Sequence, residues 1–124
     1  MTPLLPGHAR GRVLKVARLS LWGGIDPFTG VLTDPALAHA GESVEGRVLM
    51  IAEPVGSSSS SAVLLELLRS GKAPAAIVLG RADAIVGLGV LVAREMGWPT
   101  IPLAVMPVAE QAAITDGEML EVDL

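Results

Sequence analysis

Between Gly46 and Met106 the chain alternates two kinds of segment, and that alternation restricts the fold more than any other feature. "GRVLMIA" (Gly46 to Ala52), "APAAIVLG" (Ala73 to Gly80) and "TIPLAVM" (Thr100 to Met106) are apolar runs of strand length. Runs without polar interruption suit strands covered on both faces. Between them stand "AVLLELLRSG" and "ADAIVGLGVLVAREMG". In the first, Val63, Leu64, Leu67 and Leu68 share one helical face, Glu66 can pair with Arg69, and Gly71 stands where a C-cap glycine belongs. The second has Asp83 near its start and Gly97 at its end. Gly87 and Gly89 inside it each cost about 1 kcal/mol relative to alanine, a loss that close packing on a neighbour offsets. Strand, helix, strand, helix, strand predicts two βαβ crossovers and a partly parallel sheet.

The flanks add to this unit. "GRVLKVARLS" (Gly11 to Ser20) predicts a strand, and "PVAEQAAITDGEMLEVDL" predicts a short helix, a turn at Asp116-Gly117 and a last strand. The first and last strands contribute a further β layer. The expected architecture is α/β: a three-layer β/β/α domain with a partly parallel central sheet, residues 1–124 forming one domain. Pro102 has no N–H to donate, so its strand is expected at an edge or to begin there. "WGGIDPFTG" (Trp22 to Gly30) is turn chemistry, with a glycine pair, Asp-Pro and Thr-Gly.

Composition narrows the function classes. Apolar residues make up 51% of the chain and mean hydropathy is +0.57. The longest apolar segment, Ala84 to Ala93, is nevertheless far short of the roughly 20 residues that span a bilayer. More apolar surface than a small domain can hide implies a partner surface. "MTPLLPGHARG" is not a signal peptide, so a cytoplasmic location is expected. Cysteine is absent, which removes disulfides and thiolate-held metals from this chain. Nine basic and thirteen acidic residues give a net charge of −4, and aromatic residues are scarce. Nucleic-acid binding lacks both its charge and its stacking surfaces.

Between the second strand and the first long helix lies "EPVGSSSSSAVLLELLRSG", with five consecutive serines, Ser57 to Ser61. A serine linker is normally followed by slack rather than by a periodic helix. Two readings stay open on residue types alone. In one, a serine caps the helix and the rest are solvated. In the other, Gly56 permits close approach, while free amides and the helix dipole favour an anion and ease formation of a serine alkoxide.

"LSLWGGIDPFTG", "GESVEGRVLMIAEPVGSSSSSAVLLELLRSGKAPAAIV", "DAIVGLGVLVAREMG" and "DGEMLEVD", in that order from about Gly11 to Asp123, together resemble the small subunit, or swivel domain, of the aconitase X family. The resemblance implies a hydro-lyase of two chains or two fused domains. The larger part holds an iron–sulfur cluster through cysteines, and the swivel domain closes over a small hydroxy acid and delivers a catalytic serine. On the family's motif that serine is Ser57, and the resemblance implies Ser58, Gly56, Gly23, Gly24 and Asp26 as substrate-binding positions. No metal is expected on this chain. Cis-3-hydroxy-L-proline is the expected substrate, since Glu53 stands where a phosphate-binding cation would be useful; mevalonate 5-phosphate is the alternative. The family's basic residue before the glycine is missing from "PVG". A non-catalytic binding or assembly module is the rival from another class.

Other polar residues have plainer readings. Asp26 is divided between a turn-forming carboxylate and a group facing the cleft. His39 reads as a solvated loop residue and His8 as part of a frayed terminus. Glu66 and Arg69 read as a solvated helix pair.

Overall fold

The structure, a computed structural model, describes residues 1–124. In chain order the elements are β1 (Thr2–Leu5), β2 (His8–Leu19), α1 (Leu21–Gly24), β3 (Val48–Pro54), α2 (Ser60–Ser70), β4 (Ala76–Leu79), α3 (Ala84–Glu95), β5 (Leu103–Val105), α4 (Val108–Gln111) and β6 (Met119–Asp123). They form one curled six-stranded sheet in the order β1-β5-β4-β3-β2-β6. The four central strands β5, β4, β3 and β2 are mutually parallel, and β1 and β6 join antiparallel at the two edges.

The curl comes from the length of β2. Its first half, His8 to Arg12, pairs with β6, and its second half, from Val13 on, pairs with β3. Alternation along each strand then sends successive side chains to opposite faces. Leu14, Leu49, Ile51, Ile77 and Leu79 meet the apolar stripes of α2 and α3 in the larger core. Val13, Val48, Met50 and Val78 face the other way and are covered by Val122 of β6 and by Met106. This is the β/β/α layering expected from the sequence, with the extra β layer made by β6 and the first half of β2.

Both long helices are bounded as their residues dictate. Gly71 ends α2 in the left-handed region at φ 75°, where a side chain would be strained. Asp83 caps α3, its carboxylate accepting from the N–H groups of Ile85 (2.9 Å) and Val86 (3.2 Å). Between the helices, Gly89 brings the backbones together as expected, whereas a methyl group at Gly87 would meet nothing nearer than Leu103, at 3.9 Å.

Two expectations, on His8 and His39, are corrected, and the one on Pro102 holds as a strand start rather than as an edge. The terminus is not frayed: Thr2 to Leu5 pairs with β5, and His8 opens β2 with its Nε2 2.8 Å from Glu121. Pro102 does precede a strand start, but that strand is internal, because β1 covers the side that would have been an edge. His39 is not freely solvated: its ring lies between the carboxylates of Glu42 and Asp116, 2.6 Å from the latter. Several large apolar side chains are exposed, including Trp22, Phe28, Leu88 and Met96. No helix is long and apolar enough to cross a membrane.

Candidate functional site

The serine run occupies the connection from β3 to α2, at the carboxyl ends of the parallel strands. Crevices outside those ends are where open α/β sheets bind ligands. Here β3 ends at Pro54, α2 begins at Ser60, and Ser57 stands between them. The Val55 N–H donates to the Leu19 carbonyl oxygen at 2.9 Å, tying the connection to the end of β2.

No serine side chain caps α2. Ser59 is at the N-cap position without a side-chain hydrogen bond. Ser57 Oγ accepts a long, 3.4 Å contact from the Ser59 N–H, and Ser61 Oγ donates to the Ser58 carbonyl. The hydroxyls of Ser58 and Ser59 have no partner in the chain. Ser60 differs from its neighbours: it is 2% exposed, and its hydroxyl is buried without a hydrogen bond. Gly56 has open space around its Cα and no positive φ. The chain itself does not demand glycine there, so the free volume is available to whatever approaches the loop.

The glycine-aspartate loop lies alongside. α1 is a single turn that abuts α2, with Trp22 and Gly23 outside helical geometry and Gly23 at φ 81°. Its carbonyl accepts from Thr33 Oγ at 3.1 Å. Asp26 turns into its own loop: one carboxylate oxygen accepts from the N–H groups of Phe28 (2.8 Å) and Thr29 (3.3 Å). Thus the structure sets α1, which ends in Gly23 and Gly24, against the helix that carries the serines, and it occupies an oxygen of Asp26 in a turn. None of Ser57, Ser58, Gly56, Gly23, Gly24 or Asp26 lines a cavity. One of about 410 Å³ opens next to them, lined by residues that include Arg18, Ser20, Asp34, Leu37 and Val55.

Two arginines at this end had no motif to announce them. Arg18 pairs in register with Glu53 across β2 and β3. On the other side, Ile51 pairs with Leu79, which sets Glu53 level with Arg81, just past the end of β4. Gly80 permits the approach, since a methyl group there would collide with the Ala52 carbonyl oxygen. Arg81 donates to Glu53 Oε1 through Nε (3.1 Å) and Nη2 (2.9 Å), and through Nη2 to the Pro54 carbonyl at 2.6 Å. Arg18 has no acidic partner. The only signal of this row in the sequence was its register, two residues beyond the last paired apolar residue of β3 and of β4.

Away from this end, the His39 ring holds the Leu37–Glu42 segment to the turn before β6. The Glu42 carboxylate, foremost, raises its pKa; burial opposes the rise and Asp116 adds to it. Asp116 is shifted down: burial pushes it up, and the Lys15 N–H together with His39 outweigh that.

The family described as the aconitase X swivel domain matches residues 1–124. This chain belongs to that family. Among its relatives, the cis-3-hydroxy-L-proline dehydratase of Hypocrea jecorina is 40% identical over 120 residues, covering 96% of this chain and 19% of that protein. The chain therefore spans about a fifth of the length of that relative. The phosphomevalonate dehydratase small subunit of Thermococcus sibiricus is 35% identical over 118 residues, covering 94% of this chain and 85% of that one. A crystal structure of Thermococcus kodakaraensis aconitase X in its holo form superposes with a TM-score of 0.84 at 29% identity, covering 98% of this chain and 88% of that one.

Proposed function

We propose that this chain is the swivel component of an aconitase X dehydratase, that it works with a larger, cysteine-containing partner in the cytoplasm, and that Ser57 is its catalytic base. The observation that carries the reading is the position of Ser57: an open connection at the carboxyl ends of the parallel strands, at the start of α2, with one long hydrogen bond on its hydroxyl. A serine that only capped the helix would have its oxygen on an N–H of the first turn.

The chemistry assigned to this chain is removal of the proton α to a carboxylate. Ser57 Oγ, as the alkoxide, takes that proton and becomes the hydroxyl; departure of hydroxide from the adjacent carbon completes the loss of water. A serine hydroxyl is a weak base, so its ionised form needs support. The backbone N–H groups of Ser57 and Ser58 make no hydrogen bond within the chain, and the start of α2 presents the positive end of the helix dipole. Ser58 and Gly56 are the positions assigned to the substrate carboxylate, with Gly23, Gly24 and Asp26 on the flank.

An iron–sulfur cluster does not fit the residues of this chain, which has no cysteine and no three His, Asp or Glu side chains placed to hold a metal ion together. In this reading the cluster belongs to the partner. The exposed Trp22 and Phe28, on the loop that includes Gly23 and Asp26, are suited to lie against that partner.

Cis-3-hydroxy-L-proline is the substrate we assign, supported by the likeness to the dehydratases of that name. Mevalonate 5-phosphate is the second reading, supported by the small-subunit relatives. Co-expression with an aconitase X large subunit, followed by parallel assays of water loss from both acids, tests the proposal. Turnover of the first and not the second is expected. A complex that dehydrates neither leaves the non-catalytic module as the better account.

A further inference from the structure

We propose that Arg81 is the positioning residue of the serine loop: it fixes the end of β3 from which Ser57 departs and masks the negative charge of Glu53 that an anionic substrate would otherwise meet. The inference rests on the dehydratase reading only for its kinetic half.

The loop "EPVG" carries an acid and no cation of its own, an unfavourable setting for a carboxylate ligand. The structure supplies the cation from the next strand. Three hydrogen bonds from Arg81 converge on two consecutive residues, Glu53 and Pro54. Pro54 is the last residue of β3 and stands three residues before Ser57. Its carbonyl is held at 2.6 Å by the same Nη2 that reaches Glu53, so the charge and the backbone are fixed by one planar group. A guanidinium can do this because its N–H groups form a rigid fork; an ammonium has the charge without the fork. An exposed ion pair adds little to stability. The consequence of this one is local: with Glu53 occupied by Arg81, Arg18 on the opposite side keeps its charge free, and the row Arg18, Glu53, Arg81 is net positive beneath the loop.

The two roles separate by substitution. In the isolated 124-residue chain labelled with nitrogen-15, R81Q is expected to shift the amide signals of Val55, Gly56 and Ser57 and to lower their heteronuclear NOE; R81K does the same, because lysine lacks the fork. R69Q, which breaks the Arg69–Glu66 pair on α2, leaves those amides unchanged. In the reconstituted complex, R81Q is expected to raise KM by about tenfold with a smaller fall in kcat, the mark of lost substrate binding. R81K keeps KM near wild type because the charge remains, and E53Q/R81Q returns KM to within about threefold of wild type because no uncompensated charge is left. Loop amides that are unmoved in R81Q overturn the proposal. So does a double variant as impaired as R81Q alone, which would mean that Arg81 contacts substrate directly. If the wild-type complex dehydrates neither acid, the dehydratase reading fails, and the amide signals still decide whether Arg81 holds the loop.

Discussion

Gly89 of α3 lies against the backbone of Ser61 in the first turn of α2: a methyl group at position 89 would stand 3.0 Å from the Ser61 carbonyl oxygen and 3.3 Å from its Cα. Both nearest atoms are backbone, so neither can step aside without moving the helix that carries the serines. Overpacking of this kind costs about 1–3 kcal/mol, against a gain of about 1 kcal/mol from replacing a helical glycine by alanine. G89A is expected to lower the urea midpoint. G87A, where the nearest atom would be 3.9 Å away, is expected to raise it by the propensity gain. Equal shifts from the two would contradict the packing described.

Ser60 invites the opposite outcome from the usual polar deletion. Its buried hydroxyl has no partner, so S60A removes an unsatisfied group and should leave stability unchanged or raise it by about 0.5–2 kcal/mol. Chemical denaturation measures this directly. A loss beyond about 1 kcal/mol would reveal a hydrogen-bond partner for that hydroxyl.

Ser57 tests the mechanism. Its hydroxyl accepts one long bond, and S57A is expected to change folding stability by less than about 1 kcal/mol. In the reconstituted complex the same substitution should reduce kcat by about 10²–10⁴-fold, the range for general-base assistance. Near-normal turnover by S57A with loss in S58A moves the base by one residue. Turnover unaffected by either removes the serine mechanism.

His39 makes stability depend on pH. Its folded pKa lies above its ordinary value of 6.5 because of the Glu42 carboxylate first and Asp116 after it, against burial. A raised histidine pKa favours the folded state fully below the ordinary value, and that contribution is lost as pH rises through the folded pKa. Asp116, shifted down, has the reverse limit, favouring the folded state above its ordinary value of 3.8 and failing as pH falls through its folded pKa. The urea midpoint of the wild type should therefore fall between about pH 5.5 and pH 8.5 by more than that of H39N. His8, raised by Glu121, acts in the same direction in both proteins and cancels in the comparison. Identical pH slopes would dissociate His39 from the effect.

The central repeat was legible because each piece declares itself locally. β3, α2, β4, α3 and β5 lie within the predicted segments or a residue or two beyond them, with Gly71 and Asp83 at the predicted caps. What stayed hidden depends on partners far along the chain. "TPLL", with Pro3 inside it and Pro6 directly after it, has no strand pattern of its own; it becomes β1 only because β5, about a hundred residues later, offers an edge. His39 meets Asp116 across 77 positions, and nothing near either residue signals the pairing. Arg81 sits in "LGRAD" without a motif, and its meaning comes from the register of β3 against β4. For the serines, sequence pattern gave the loop. The missing cap and the burial of Ser60 depend on how the first turn of α2 rolls against its neighbours.

The twelve residues of β2 make the molecule a lever. One end of that strand is laced to β6 and the other to β3, so no seam divides the serine end from the far layer. At about 3.3 Å per residue the strand is roughly 40 Å long. A tilt of about 10° around its far end sweeps the serine end through roughly 7 Å, more than the length of a proline-sized acid. A whole-domain tilt of that size would carry Ser57 with it and bend nothing inside the domain, because β2 joins the serine end to the far layer.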